Sequence, residues 1–207
     1  AHYNLGSLLL EVGEAEEAVA AFRETVRVAP HLPFGHFMLG TALSVAGDPK
    51  GAFFATINGL HLAPDDPGGQ ANAGRSAFAL GCFTDAALRY LLAVKLNDAD
   101  LSLLLCLGRA VCRYTRVAPL ELPVRGEEFQ FRHGNAEDAA TMAMSAWAAE
   151  SDDVARSYRD RLLDLDRDLS QRVSEVIEGG TEYRARLLAL VERAKTDPNF
   201  VAVEVTP

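Results

Sequence analysis

The sequence has few cysteines and no long hydrophobic run, and each shortage excludes a class of protein. Its 207 residues contain three cysteines, an odd number that does not suit a disulfide framework. All three lie within helical patterns, so we expect reduced thiols and a cytoplasmic protein. The longest mainly apolar run, 101–107, is too short to span a bilayer, and no transmembrane helix is expected.

The sequence also lacks a basic balance and the common catalytic motifs. Its net charge of −9 argues against general binding to nucleic acid. It contains no glycine-rich phosphate loop, no G-x-S-x-G and no H-E-x-x-H, and Cys106 and Cys112 lack the spacing of a zinc or redox site. Acidic pairs such as Glu16 and Glu17 fall at helix starts, where carboxylates are favourable. We therefore expect no enzyme activity, no cofactor and no metal site.

Glycines recur at a fixed interval along the first half of the chain. Gly6, Gly40, Gly74 and Gly108 are each separated by 34 residues, and a fixed period of this length is typical of stacked repeats. With 49% hydrophobic residues and few β-branched runs, the chain can bury a core and should be nearly all helix.

Other residues keep the same register as these glycines. The first repeat contains His2, Leu5, Gly6, Gly13, Ala18 and Pro30, and the second contains His36, Leu39, Gly40, Gly47, Ala52 and Pro64. The third keeps the glycine and alanine positions. This pattern resembles the tetratricopeptide signature, W-x2-L-G-x2-Y, A-x3-F and P. The resemblance covers residues 1–115 and implies an all-α solenoid of about four helical hairpins.

The apolar spacing predicts the individual helices of this solenoid. They are expected at 2–12, 15–28, 34–46, 49–62, 69–80, 84–96 and 101–114. The next turn glycine is due at Thr115 but appears at Gly134, so residues 136–149 are predicted as the displaced second helix of repeat four. The insertion between them, 116–133, is expected to form a short hairpin near Gly126. It is either a binding element or a loop that covers apolar helix surface.

The last third of the chain changes pattern. Residues 153–178 predict one long helix with an apolar stripe formed by Tyr158, Leu162, Leu165, Leu169, Val173 and Val176. We favour a helix that caps the solenoid over a dimerising coiled coil, hence a monomer or a weak homodimer. A further helix at 181–195 and a strand at 200–205 should follow. The predicted division is a solenoid over 1–151 and a C-terminal region over 152–207.

The tetratricopeptide resemblance implies a concave groove that the first helix of each hairpin lines and that receives a protein or peptide. Carried over position by position, the groove residues are Tyr3, Asn4, Ser7, Leu10, Phe34, Phe37, Met38, Thr41, Asn72, Arg75, Phe78, Leu105, Arg109 and Arg113. Phe129 and Phe131 of the insertion are further candidate contacts. Tyr3, Ser7, Met38 and Gly68 occupy four places of the clamp by which chaperone-binding members hold a terminal carboxylate, so chaperone-tail binding is not expected.

Arginines at the end of this groove suggest the chemistry of the partner. Arg75, Arg109 and Arg113 are expected to converge, which favours an acidic segment, unless they pair with the chain's own carboxylates. The function that follows is a noncatalytic binding scaffold or adaptor without nucleic-acid or membrane partners. The alternative is the regulatory or substrate-recruiting part of a larger enzyme, because the chain starts inside a repeat and ends in a stray strand.

Overall fold

The computed structural model describes residues 2–97, 101–115, 136–197 and 200, and these form eleven α-helices and no strand. The helices are α1 (His2–Glu11), α2 (Ala15–Val28), α3 (Pro33–Val45), α4 (Pro49–Leu62), α5 (Pro67–Ala79), α6 (Phe83–Leu96), α7 (Leu101–Thr115), α8 (Ala136–Ala148), α9 (Asp152–Leu165), α10 (Arg167–Gly179) and α11 (Thr181–Thr196). The first eight pack as four successive pairs, and each pair packs on the next. The predicted all-helical, solenoid-like arrangement is confirmed.

Three of the turns within these pairs are made by a glycine with positive φ. Gly13, Gly47 and Gly81 have φ of 87°, 85° and 78°, a region that glycine enters without the steric cost of a Cβ. At the first of these turns the Gly13 N–H donates to the Leu10 carbonyl at 3.2 Å. These glycines, 34 residues apart, therefore mark the end of the first helix in each of three pairs, where the chain reverses.

The glycines of the 34-residue series that begins at Gly6 lie where the paired helices touch. A Cβ built at Gly6 would come within 2.8 Å of the Phe22 ring, and one built at Gly108 would overlap the backbone carbonyl of Thr141. Close packing of this kind leaves no room for a side chain. The 34-residue period therefore also marks the contact between the first and second helix of each pair.

The displaced second helix of the fourth pair lies as predicted. α8 packs along α7, and its small residues Ala139 and Ala146 are buried. The insertion at 116–133, with its predicted hairpin, lies outside the described residues. The displacement of the turn glycine from position 115 to Gly134 therefore predicted the position of α8 correctly.

The prediction of a single long helix over 153–178 is wrong, because the helix ends before Asp166 and a new one begins after it. This residue is extended, with φ −153° and ψ 103°, and its side chain accepts a 2.9 Å hydrogen bond from the Leu169 N–H at the start of α10. An aspartate that caps a new helix competes with continuation of the old one. As a result Leu165 is 42% exposed, although the predicted stripe includes it.

The rest of the stripe packs within the same chain, with Tyr158 and Val176 half-buried. α9 and α10 pack on α8, α11 packs on α6, and Leu162, Leu169 and Val173 belong to the large core that reaches back to α3. A smaller core joins α2, α3 and α4. Of the predicted strand only Phe200 is described, and it is not in a strand. Within the described ranges, no helix is both long and apolar enough to cross a bilayer.

Candidate functional site

The odd-numbered helices of the solenoid lie side by side and carry most of the predicted groove residues. α3 contacts both α1 and α5, and α5 contacts α7. We call the surface of these four helices the first-helix layer. Residues that the tetratricopeptide resemblance assigns to the groove are therefore spread along one continuous layer rather than over separate parts of the molecule.

Aromatic side chains stand at the N-terminal end of the first-helix layer. Tyr3 and Phe34 are exposed, the latter by 62%. Asn4 is also exposed, and Ser7, Leu10 and Met38 are half-buried. This end of the layer therefore offers accessible rings to a partner.

Two predicted groove residues are core residues instead. Phe37 is 6% exposed, and its ring fills the space that two glycines leave, since a Cβ at Gly69 would come within 2.7 Å of it. Leu105 is also buried. Both side chains are therefore occupied by packing within the chain and offer little surface to a partner.

A row of hydrogen bonds crosses from α3 to α5 in the middle of the layer. The Asn72 amide donates to the Thr41 hydroxyl oxygen at 3.4 Å, and an Arg75 guanidinium N–H donates to the Asn72 side-chain carbonyl at 3.2 Å. Thr41 in turn donates to the Phe37 carbonyl at 3.1 Å. The row holds Arg75 in place while its side chain remains exposed.

Arg75 and Arg109 influence the same phenol. Burial raises the pKa of the Tyr90 hydroxyl above its usual range, with Cys106 acting in the same direction and both Arg75 and Arg109 acting in the opposite one. The Tyr90 ring lies against Gly74, where a Cβ would come within 3.0 Å of it. The two arginines, one period apart in the sequence, therefore both lie close enough to Tyr90 to act on its hydroxyl.

The environments of these two arginines differ. Burial lowers the pKa of Arg109, whereas Cys106, Asp138 and Tyr90 raise it. Asp138 is buried on α8, so the chain's own carboxylate offsets part of the Arg109 charge. Arg75 forms no ion pair with any carboxylate of the described residues. Arg113 is half-buried, as is Phe78. The charge available to a partner is thus mainly that of Arg75.

No family model matches the chain, and no curated protein sequence matches it. In the part of the chain that the structure describes, no three His, Cys, Asp or Glu side chains converge as metal ligands would. The candidate contacts Phe129 and Phe131 lie outside the described residues.

A buried polar cluster between α5 and α6 was not predicted. Arg89 on α6 is 4% exposed and donates to the Gln70 side-chain carbonyl at 3.2 Å and to the Phe200 backbone carbonyl at 2.6 Å. Asp85, one turn before Arg89, is also buried. The only signal in the sequence is an acid and a base four residues apart on a mainly apolar helix, a pattern that is common on exposed faces as well.

Proposed function

We propose that the chain is a noncatalytic, tetratricopeptide-type scaffold that binds an acidic segment of a partner protein along its first-helix layer. The 34-residue register supports the repeat type, because the turn glycines and the close helix contacts recur at the same places in successive pairs. The fourth pair keeps the close helix contact, at Gly108.

The observation that carries the proposal is the ordered guanidinium in the middle of the layer. Hydrogen bonds from Arg75 to Asn72 and from Asn72 to Thr41 hold a cation on the surface of a chain whose net charge is −9. Exposed Tyr3 and Phe34 lie on α1 and α3 of the same layer. An extended segment with an acidic residue and an apolar anchor matches both features, since carboxylates bind guanidinium forks and aromatic side chains are common interface anchors.

A displayed library of random peptides, selected on the immobilised protein, tests the chemistry of the partner. We expect the selected peptides to be enriched in aspartate and glutamate. One selected peptide is then labelled and titrated at low and high salt. Its affinity should fall as salt rises, because exposed charges are screened.

Variants of the protein locate the binding surface. Arg75→Glu should weaken binding about tenfold or more, the value of one charge-assisted hydrogen bond. Arg23→Glu is the matched control, since Arg23 is an exposed residue of the second helix α2. Arg109→Glu is a poorer choice because it would place a second carboxylate near buried Asp138, so a loss of binding could reflect unfolding.

Two outcomes would contradict the proposal. Selected peptides without acidic residues would remove Arg75 as the recognition element. An equal loss of affinity in the Arg75 and Arg23 variants would place binding outside the first-helix layer.

A further inference from the structure

A cavity of about 260 Å³ lies between the end of α8 and helices α9, α10 and α11, on elements that do not belong to the first-helix layer. Its walls include Trp147, Asp152, Arg156, Arg159, Thr181 and Arg184. Three guanidiniums and one carboxylate therefore face a single cavity in a chain whose net charge is −9. This reversal of the overall charge is local and specific to the C-terminal helices.

One of the three cations is fixed in position. Arg184 donates to the Asp152 carboxylate at 2.8 Å, and its guanidinium carbon lies 5.8 Å from the centre of the Trp147 ring. The pair joins α11 to the start of α9. Arg184 is thus oriented before any ligand arrives, with part of its charge offset by Asp152.

The other two cations are held only by weak pairs. Arg156 and Arg159 are three residues apart on α9, a spacing that places them on one face of the helix. Arg156 lies 3.4 Å from Asp153, whose side chain is 95% exposed, and Arg159 lies 3.7 Å from exposed Asp160. Exposed pairs of this kind contribute little to stability, so both guanidiniums can exchange their carboxylates for another anion at low cost.

We propose that this cavity binds a phosphate-bearing small molecule. Guanidinium forks match the oxygens of a phosphate, and two of the three cations lack a strong partner. The Thr181 side chain in the wall adds a hydroxyl, and Trp147 and Ile177 add an apolar surface for a short organic substituent. The volume is below the roughly 300–1,000 Å³ typical of drug-sized ligands, which favours a small anion.

The only tryptophan of the chain provides the signal for the test. Because Trp147 lines the cavity, its fluorescence is followed while inorganic phosphate is added, with sodium chloride at equal ionic strength as the reference. We expect a saturable change with phosphate and none with chloride. Arg156→Gln should raise the Kd about tenfold, since one charge-assisted hydrogen bond is lost.

Matched variants and a second anion complete the experiment. Arg172→Gln, at an exposed position of α10 that does not line the cavity, should bind phosphate as the wild type does. Arg159→Gln should weaken binding as Arg156→Gln does, and melting temperatures show whether each variant is folded. A response to phosphate that equals the response to chloride, or unchanged affinity in both cavity variants, would overturn the proposal. Binding of succinate as tight as that of phosphate would overturn the phosphate assignment.

Discussion

Replacing Arg89 by methionine should destabilise the protein more than any exposed arginine substitution. The side chain is buried on α6 and donates to the carbonyls of Gln70 and Phe200, the latter at 2.6 Å. Burial lowers the pKa of its guanidinium to about 10, and the nearby Asp85 acts in the opposite direction. Methionine keeps much of the length and volume but removes the charge and every donor.

The magnitude follows from what the substitution leaves behind. Two charge-assisted hydrogen bonds contribute about 3–6 kcal/mol together, and the buried Asp85 carboxylate also loses a nearby positive charge. The loss of these two bonds is the main cost, so we expect the free energy of unfolding to fall by about 3–5 kcal/mol. For a chain of this size that corresponds to a drop in melting temperature of about 6–20 °C.

Two assays separate a global from a local effect. Denaturant unfolding gives the free energy of unfolding, and digestion with an endoproteinase specific for lysine reports release of the C-terminal segment at Lys195. Arg89→Met should accelerate cleavage there because the bond to the Phe200 carbonyl is lost. Lys95→Met is the matched control: it lies on the same helix, and its 3.9 Å pair with exposed Glu150 should contribute less than about 1 kcal/mol.

A double variant tests whether Arg89 and Asp85 stabilise one another. If the carboxylate left behind by Arg89→Met accounts for much of the cost, adding Asp85→Asn should recover part of it. A stability of Arg89→Met equal to that of the wild type would refute the importance of the buried cluster. Further destabilisation by Asp85→Asn in that background would show that the two charges do not act as a pair.

Three further predictions concern packing and thiol chemistry. Leu169→Ala should lower the free energy of unfolding by about 2–5 kcal/mol and Leu165→Ala by less than about 1, because only the first is buried; equal losses in chemical denaturation would contradict the break between α9 and α10. Gly108→Ala should lower the free energy of unfolding by on the order of 1–3 kcal/mol because the new Cβ forces α7 away from α8, whereas Gly179→Ala, whose new Cβ meets no atom within 4 Å, should not destabilise the protein. If calorimetry finds the reverse order of stabilities, the close contact at Gly108 is ruled out. Burial raises the pKa of the Cys112 thiol to about 12, so it stays protonated at pH 8, and mass spectrometry after brief alkylation of the native protein should find it unmodified; rapid labelling would show that α7 opens.

The sequence alone was sufficient for most helices and for their pairing. Helix α2, α4 and the position of α8 follow from local signals, namely apolar spacing, turn glycines and the repeated register. These signals act between residues close in the chain, and a repeat multiplies each of them. The resemblance also indicated which helices would form a common layer.

Other features depended on residues distant in the chain. Phe37 is buried because Gly59 and Gly69 leave space for its ring, and Arg89 bonds to a carbonyl 111 residues away. The break at Asp166 allows two shorter helices, α9 and α10, to pack on α8, whereas the apolar stripe alone is compatible with one continuous helix. The cavity around Trp147 arises from the packing of four helices. The sequence determined the local elements because their hydrogen bonds and turn conformations are local, and the tertiary structure decided burial, charge pairing and cavity shape because those depend on which distant surfaces meet.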